Sequence, residues 1–432
     1  MKERELYSPP VNINLNVRGK QQSATLEINE RAWRLSEAGR KVYRFGLGQS
    51  PFPVPDPVVG ALQLNAHQKD YLPVKGLEAL REVVAGYHNR TQHLNLSAED
   101  IMIGPGSKEL MFILQLAYYG DLIIPTPSWV SYAPQASIIG RNIHWLPTQS
   151  YQQWHLTPDT LETFCRNDPG HPRILILNYP ANPTGNTYVS DELKKLAQIA
   201  RKYRLILLSD EIYGELHYKH QHVSIARYYP EGTIISSGLS KWCGAGGWRL
   251  GTFAFPKSLH WLQDSMAVIA SETYTSTSAP IQYAAIRAFE GGAEIDTYLT
   301  HSRKILRALA KTIYDRFRKA GIAVTEPRGA FYIFPDFGPF KDRLYERGIT
   351  NSRDLCRRLL EDTGVAALPG SVFGRTPEEL TIRMAFVEFD GAAALKDCAA
   401  MGEGCTLNGA FQQNHFAHIL EGVEKVCEWL LA

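Results

Sequence analysis

Residues 236–251 read Ser-Ser-Gly-Leu-Ser-Lys-Trp-Cys-Gly-Ala-Gly-Gly-Trp-Arg-Leu-Gly. An apolar run, Thr233-Ile234-Ile235, leads in, and another, Leu250-Gly251-Thr252-Phe253-Ala254-Phe255, leads out. Lys241 is thereby set in a tight loop of small residues between two expected buried strands. Burying an ammonium is costly unless it is paired or neutralised. Two readings follow: an ordinary lysine in a glycine-rich turn, or a lysine that condenses with an aldehyde and so does chemistry. Arg249, eight positions on, can supply a fixed cation for a phosphate.

Working outward, short apolar runs alternate with helical patterns. Ile101-Met102-Ile103 is a strand, Gly104-Pro105-Gly106-Ser107-Lys108 a tight turn, and 109–118 a helix. Strand, glycine turn and helix start favour an anion, because unpaired N–H groups and the helix dipole point at it. Leu122-Ile123-Ile124 is a strand ending near Trp129, which can stack on a planar ring or plug the core. A short strand is expected at 143–146 and another at 173–177, the latter entering the Asn- and Pro-rich loop Asn178–Asn186. An amphipathic helix over 191–203 precedes the strand 205–208, which ends at Ser209-Asp210-Glu211-Ile212-Tyr213. The alternation predicts an α/β fold with a largely parallel sheet. Ligands collect at the carboxyl ends of such strands. Gly106, Trp129, Asn182, Asp210 and Lys241 all fall there, and their convergence outweighs any one of them.

Residues 1–22 are polar and read as an extended arm, loose or laid across a partner subunit. A helix is expected over 23–42, with Leu26, Ile28, Ala32, Trp33 and Leu35 inward. The turn-rich Phe45–Pro55 is a surface connection or a loop that closes over a ligand near Gly48. A helix is expected to start at 70 and run to about 88, with Tyr71 at its head. From 261 to 320 the chain is mostly helical, broken at 276–280, and a helix over 295–321 can join two domains. Strands are expected at 323–324, 330–334 and 381–386, and a helix at 352–362. Residues 388–432 read as a polar, cysteine-bearing connection and a terminal helix over 418–431.

The 432 residues are 44% hydrophobic and 21% charged, enough for two or three globular domains. A net charge of +2 gives no strong pull toward nucleic acid or an anionic membrane. No apolar stretch approaches the roughly 20 residues that span a bilayer. The six cysteines, at 165, 243, 356, 398, 405 and 427, form no Cys-x-x-Cys pair and suggest reduced thiols in a cytoplasmic protein with no metal site. The mixed-charge Met1-Lys2-Glu3-Arg4-Glu5 is not a signal-peptide start.

Together, Gly238-Leu239-Ser240-Lys241, Gly247-Trp248-Arg249-Leu250-Gly251, Asn182-Pro183-Thr184-Gly185 and Asp210-Glu211-Ile212-Tyr213 resemble the motifs of the class I/II, aspartate-aminotransferase-like enzymes of fold type I, which use pyridoxal 5′-phosphate. The resemblance covers about 46–386. It implies a large domain with a mainly parallel seven-stranded sheet flanked by helices, and a smaller α+β domain from the two chain ends. The expected divisions are 1–60 for the arm and part of the small domain, 61–305 for the large cofactor domain, and 306–432 for the rest of the small domain.

The resemblance also implies roles. Lys241 would hold the cofactor and move the proton, Asp210 would pair with the ring nitrogen, and Tyr213 and Asn182 would bond the ring oxygen. Trp129 would stack on the ring. Gly106, Ser107, Lys108, Arg249 and a serine would grip the phosphate. Relatives often place a hydroxyl three residues before the lysine; here that residue is Gly238, leaving Ser237 or Ser240. Tyr71 would reach the other subunit's cofactor in a homodimer. Arg383 and Gly48, with Trp129 and Asn182, would bind the substrate. The implied reaction is ping-pong transfer of an amino group from an L-amino acid, aspartate-like if Lys108 meets a distal carboxylate, to a 2-oxo acid. Aromatic or broad specificity, and a lyase of the aminocyclopropane-carboxylate synthase type, are the alternatives. A ligand-sensing regulator would need a DNA-binding segment, for which 1–45 is too short.

Overall fold

In a computed structural model, residues 12–20, 24–402, 406–407 and 409–431 are described. Most of the expected arm, the Leu26 side chain and Cys405 lie outside the described residues. The strands in chain order are β1 (Tyr43–Arg44), β2 (Ile101–Gly104), β3 (Asp121–Thr126), β4 (Ile143–Pro147), β5 (Arg173–Asn178), β6 (Ile206–Asp210), β7 (Thr233–Gly238), β8 (Gly251–Ala254), β9 (Tyr332–Ile333), β10 (Val365–Ala366), β11 (Leu368–Pro369) and β12 (Ile382–Ala385).

Seven of them form one sheet in the order β2-β8-β7-β6-β5-β3-β4. The neighbours from β7 to β4 are parallel, and β8 runs antiparallel to both β7 and β2. The mainly parallel seven-stranded sheet is therefore present. Two antiparallel steps make β2 parallel to β7, so the carboxyl ends of β2, β3, β5, β6 and β7 share one edge.

Both faces are covered, which is why these strands read as continuous apolar runs. Ile124, Ile176, Leu208 and Ile234 pack on one face. Their neighbours Ile123, Leu175, Leu177 and Leu207 pack on the other, as a period of two demands. Each such side chain fully removed from water contributes about 1.5–3 kcal/mol. The helix Ser190–Lys202 covers one face through Leu193, Leu196, Ala197 and Ala200, and Glu192 caps its start by accepting from the Val189 N–H at 2.9 Å.

The site edge is pinched by glycines. Gly104 pairs with Gly251, and Gly251 with Gly238. A Cβ on Gly251 would stand 2.1 Å from the Ser107 nitrogen, so glycine lets the start of helix Ser107–Ala117 lie directly on β8.

A second body of structure caps this edge. Strands β11-β12-β9 form an antiparallel sheet, and β1 pairs with β10 in parallel. The Phe45 N–H donates to Ala366 O and the Phe45 carbonyl accepts from Ala385, which ties the early chain to the late chain. Helices Ala293–Lys319, Ser352–Thr363 and Gly409–Leu431 pack around these strands.

Several local expectations change. The helix expected from 70 begins at Glu78, because Gly76 holds φ +105° and a Cβ there would meet Ile103 at 2.4 Å. A helix, Asp56–Asn65, follows the Pro-rich loop, with a proline in its first turn. The connection after 388 contains the helix Gly391–Ala400, and the terminal helix starts at Gly409 rather than 418. Ala323 makes only a bridge to Asp336, and the strand expected over 330–334 is confined to Tyr332–Ile333. On the first helix, Ala32 is buried and Trp33 faces solvent. Cys165, Cys243, Cys356 and Cys427 are buried thiols outside any disulfide. Among the described residues no helix is long and apolar enough to cross a membrane, and no group of His, Cys, Asp or Glu could hold a metal ion.

Candidate active site

A cavity of about 560 Å³ opens where the carboxyl edge meets β9 and β12. Of the residues singled out from sequence, Gly48, Ser107, Lys108, Trp129, Asn182, Asp210, Tyr213, Ser240, Lys241, Arg249 and Arg383 border it. Gly106 stands just behind, with φ +97°, and a Cβ there would be 2.3 Å from Arg249 Nη2. Ser237 lies within β7 away from the cavity, so Ser240 is the hydroxyl on hand. Tyr71 is 88% exposed and does not border the cavity.

Lys241 leaves the turn after β7 with its Nζ donating to Gly48 O at 2.7 Å. Burial pushes its ammonium down to about 8, helped by the Arg383 and Arg249 cations and opposed by Asp210. The neutral amine a nucleophilic lysine requires is then a far larger fraction near physiological pH than for an exposed lysine, though still the minority form. Asp210 closes β6 and is nearly fully buried, and burial raises its carboxyl to about 6. Its Oδ2 accepts from the Tyr132 hydroxyl at 2.5 Å and its Oδ1 from Ser236 Oγ at 3.4 Å. Lys241 and Asp210 both border the cavity, so an amine and a buried acceptor share one space. Trp129 flanks this space, and Lys108 Nζ stands 5.5 Å over the indole.

One end of the cavity is an anion cradle. The first N–H groups of the helix Ser107–Ala117, on Ser107 and Lys108, have no intrahelical acceptor. Arg249, at φ +57°, is anchored by donating to Gly246 O at 3.0 Å and Pro105 O at 3.3 Å, leaving the guanidinium beside Gly106. Burial and the neighbouring Arg249 hold the Lys108 ammonium below its ordinary value.

The other end holds a second cation. Arg383, on β12, is 3% exposed, donates to Gly46 O and to Asn182 Oδ1 (3.4 Å), and lies over the Tyr332 ring at 4.8 Å. Its Nε is buried without a partner, and no carboxylate pairs with it among the described residues. A buried guanidinium so placed calls for an anionic ligand. Tyr213 donates to or accepts from Tyr332 at 2.8 Å, and burial raises its phenol well above the usual range.

Sequence reading missed Tyr332 and Tyr132. Tyr332 Oη lies where a Cβ on Gly48 would stand 2.0 Å away, which explains the glycine there. Both tyrosines sit in apolar surroundings and read as core; the spacing of Tyr132 three residues after Trp129 is the one available signal.

The donor set fits a phosphorylated pyridine aldehyde: a cationic cradle for the phosphate, an indole beside the ring, a buried acid for a ring cation and a partly neutral amine for the aldehyde. Comparison with known proteins agrees. A family model described as aminotransferase class I and II matches residues 40–388. An aspartate aminotransferase of Geobacillus stearothermophilus is 33% identical, over 82% of this chain and 89% of that one. An asparagine–oxo-acid transaminase of Streptococcus mutans is 30% identical, over 84% and 92%. The solved structure of Thermus thermophilus aspartate aminotransferase with maleate is 26% identical, with a TM-score of 0.80 over 90% of this chain and 98% of that one.

Proposed function

The chain belongs to the class I and II aminotransferases and is a pyridoxal-phosphate-dependent transaminase; on that premise we propose that its amino donor is an acidic L-amino acid, aspartate foremost, and its acceptor a 2-oxo acid such as 2-oxoglutarate. The observation that carries the acidic preference is Lys108, a second cation on the cavity beside Trp129, while Arg383, a buried cation with no carboxylate partner among the described residues, answers the α-carboxylate that every amino acid brings. The aspartate aminotransferases among its relatives support the choice of donor.

When bound, the cofactor supplies an aldehyde that takes up the amino group and a ring that accepts the electrons of the broken Cα–H bond. Everything else falls to the chain. Ser107 and Lys108 N–H groups, the Ser240 hydroxyl and Arg249 hold the phosphate, with Gly106 admitting the guanidinium. Asp210 accepts the ring N–H, which keeps that nitrogen charged. Tyr213 and Asn182 bond the ring oxygen, and Trp129 covers the ring face and excludes water.

Arg383 forks onto the substrate α-carboxylate, and Gly48 closes on the same group through its backbone. Lys241 Nζ, released from Gly48 O, takes the proton from the substrate Cα and returns it on the other side of the transfer. The order is ping-pong: the donor leaves as a 2-oxo acid before the acceptor enters.

Lys108 faces the cavity beside Trp129 and is the cation for a distal carboxylate. Turnover of aspartate and of phenylalanine with 2-oxoglutarate, in wild type and Lys108→Ala, checks this. The expected loss is about 10- to 100-fold in kcat/KM for aspartate, a charge-assisted contact's worth, with phenylalanine little changed. An unchanged ratio removes Lys108 from substrate choice, and sustained turnover beyond one equivalent of product per site without a 2-oxo acid acceptor would make the enzyme a lyase.

The enzyme works as a homodimer in the cytoplasm, with Tyr71 reaching the partner's phosphate. The exposure of Tyr71 and of Leu64 on neighbouring segments supports the first, and the buried free thiols the second. The working domains are 1–60 with 306–432, and 61–305.

A further inference from the structure

We propose that Tyr132 is a positioning residue that sets two faces of the cofactor site at once, orienting the Asp210 carboxylate with its hydroxyl and the Trp129 indole with its ring edge. This rests on the reading that pyridoxal phosphate occupies the cavity.

Tyr132 opens the short helix Tyr132–Ile138 after β3 and is 1% exposed. Its ring meets Trp129 edge to face, 5.2 Å between centroids at 83°, the geometry aromatic quadrupoles favour. Its hydroxyl donates to Asp210 Oδ2 at 2.5 Å, while Ser236 Oγ stands at 3.4 Å from Oδ1 and the Ile212 backbone N–H also donates to the carboxylate. The Tyr132 bond is charge-assisted and outweighs the other two donors in holding the carboxylate charged, so it is the side-chain contact that orients it. Burial and the facing Asp210 anion hold the phenol far above its ordinary range, so it remains a donor at any working pH.

The other ionisable groups acting on Asp210 are few. Glu211 follows it just past the end of β6 and raises its proton affinity. Tyr213 and Lys241 also face it. Glu211 is itself tied to His222 at 2.8 Å and to Ser209 and Ser224, so it is not available to orient Asp210. Without the Tyr132 hydroxyl, Asp210 loses its best donor, holds its own proton more tightly and pairs less well with a ring cation.

The test uses cofactor binding rather than turnover. Dissociation constants are measured at pH 7.5 for pyridoxal phosphate and for its analogue with the ring nitrogen replaced by carbon, in wild type, Tyr132→Phe and Tyr132→Leu, with thermal melting alongside. Tyr132→Phe keeps the ring edge and removes only the hydroxyl. It is expected to weaken pyridoxal phosphate about tenfold and the nitrogen-free analogue less than twofold. Tyr132→Leu is expected to weaken both, since the support of Trp129 goes too. Equal loss of the two ligands in Tyr132→Phe, or no loss of either, overturns the proposal while leaving the transaminase intact. A wild type that binds neither ligand removes the function reading along with it.

Discussion

Asp210 holds its site at a cost to the fold. A carboxyl whose folded value, about 6, lies above its ordinary 3.8 stabilises the protein fully only below the unfolded value, and that contribution is lost as pH rises through 6. The gap corresponds to roughly 3 kcal/mol at neutral pH. Cofactor-free Asp210→Asn is therefore expected to melt above wild type at pH 8, with the advantage shrinking toward pH 4.5. Melting temperatures across that range check it, and a difference independent of pH would contradict the burial account. The same chemistry explains which residues were legible. Lys241, Asp210, Asn182 and Arg249 sit where their residue types make poor strand or helix, so their presence demanded another reason. Tyr132 and Tyr332 have large apolar bodies that satisfy the core pattern, and their hydroxyl partners lie 78 and 119 residues away. No local pattern reports a contact of that separation.

Elements were legible where period and length agreed. The buried strands β3, β5, β6 and β7 are unbroken apolar runs because both sheet faces are covered, and Ser190–Lys202 shows its four buried positions at helical spacing. The helix Asp56–Asn65 was hidden because Pro55 and Pro57 prolong the look of the preceding loop, and only Val58 is fully buried in it. Gly391–Ala400 is built of small residues whose stripe is faint, with Ala394 and Cys398 inward. The terminal helix was cut short because residues 409–417 mix Phe411 and Phe416 with polar neighbours. The insertion of antiparallel β8 between β2 and β7 was also unreadable, since register between strands distant in the chain leaves no local trace.

At the scale of the whole molecule, the early loop at Gly48, the strands of the central sheet and the late β12 converge on one cavity, so the site exists only when both chain ends fold back onto the sheet. The proposed dimer extends this logic to a second copy through Tyr71. Mixing Tyr71→Ala with the inactive Lys241→Ala protein, under conditions that exchange subunits, is expected to raise activity above that of either parent. Hybrids then contain one site with both residues intact. No gain on mixing would place Tyr71 in its own subunit's function or in none. The claim on which all of this depends is that one amine, that of Lys241, holds the cofactor. Reductive trapping of the bound cofactor followed by peptide mapping tests it most directly. The label is expected on Lys241 alone and absent from Lys241→Ala; a label on another lysine, or none in the wild type, would contradict the account.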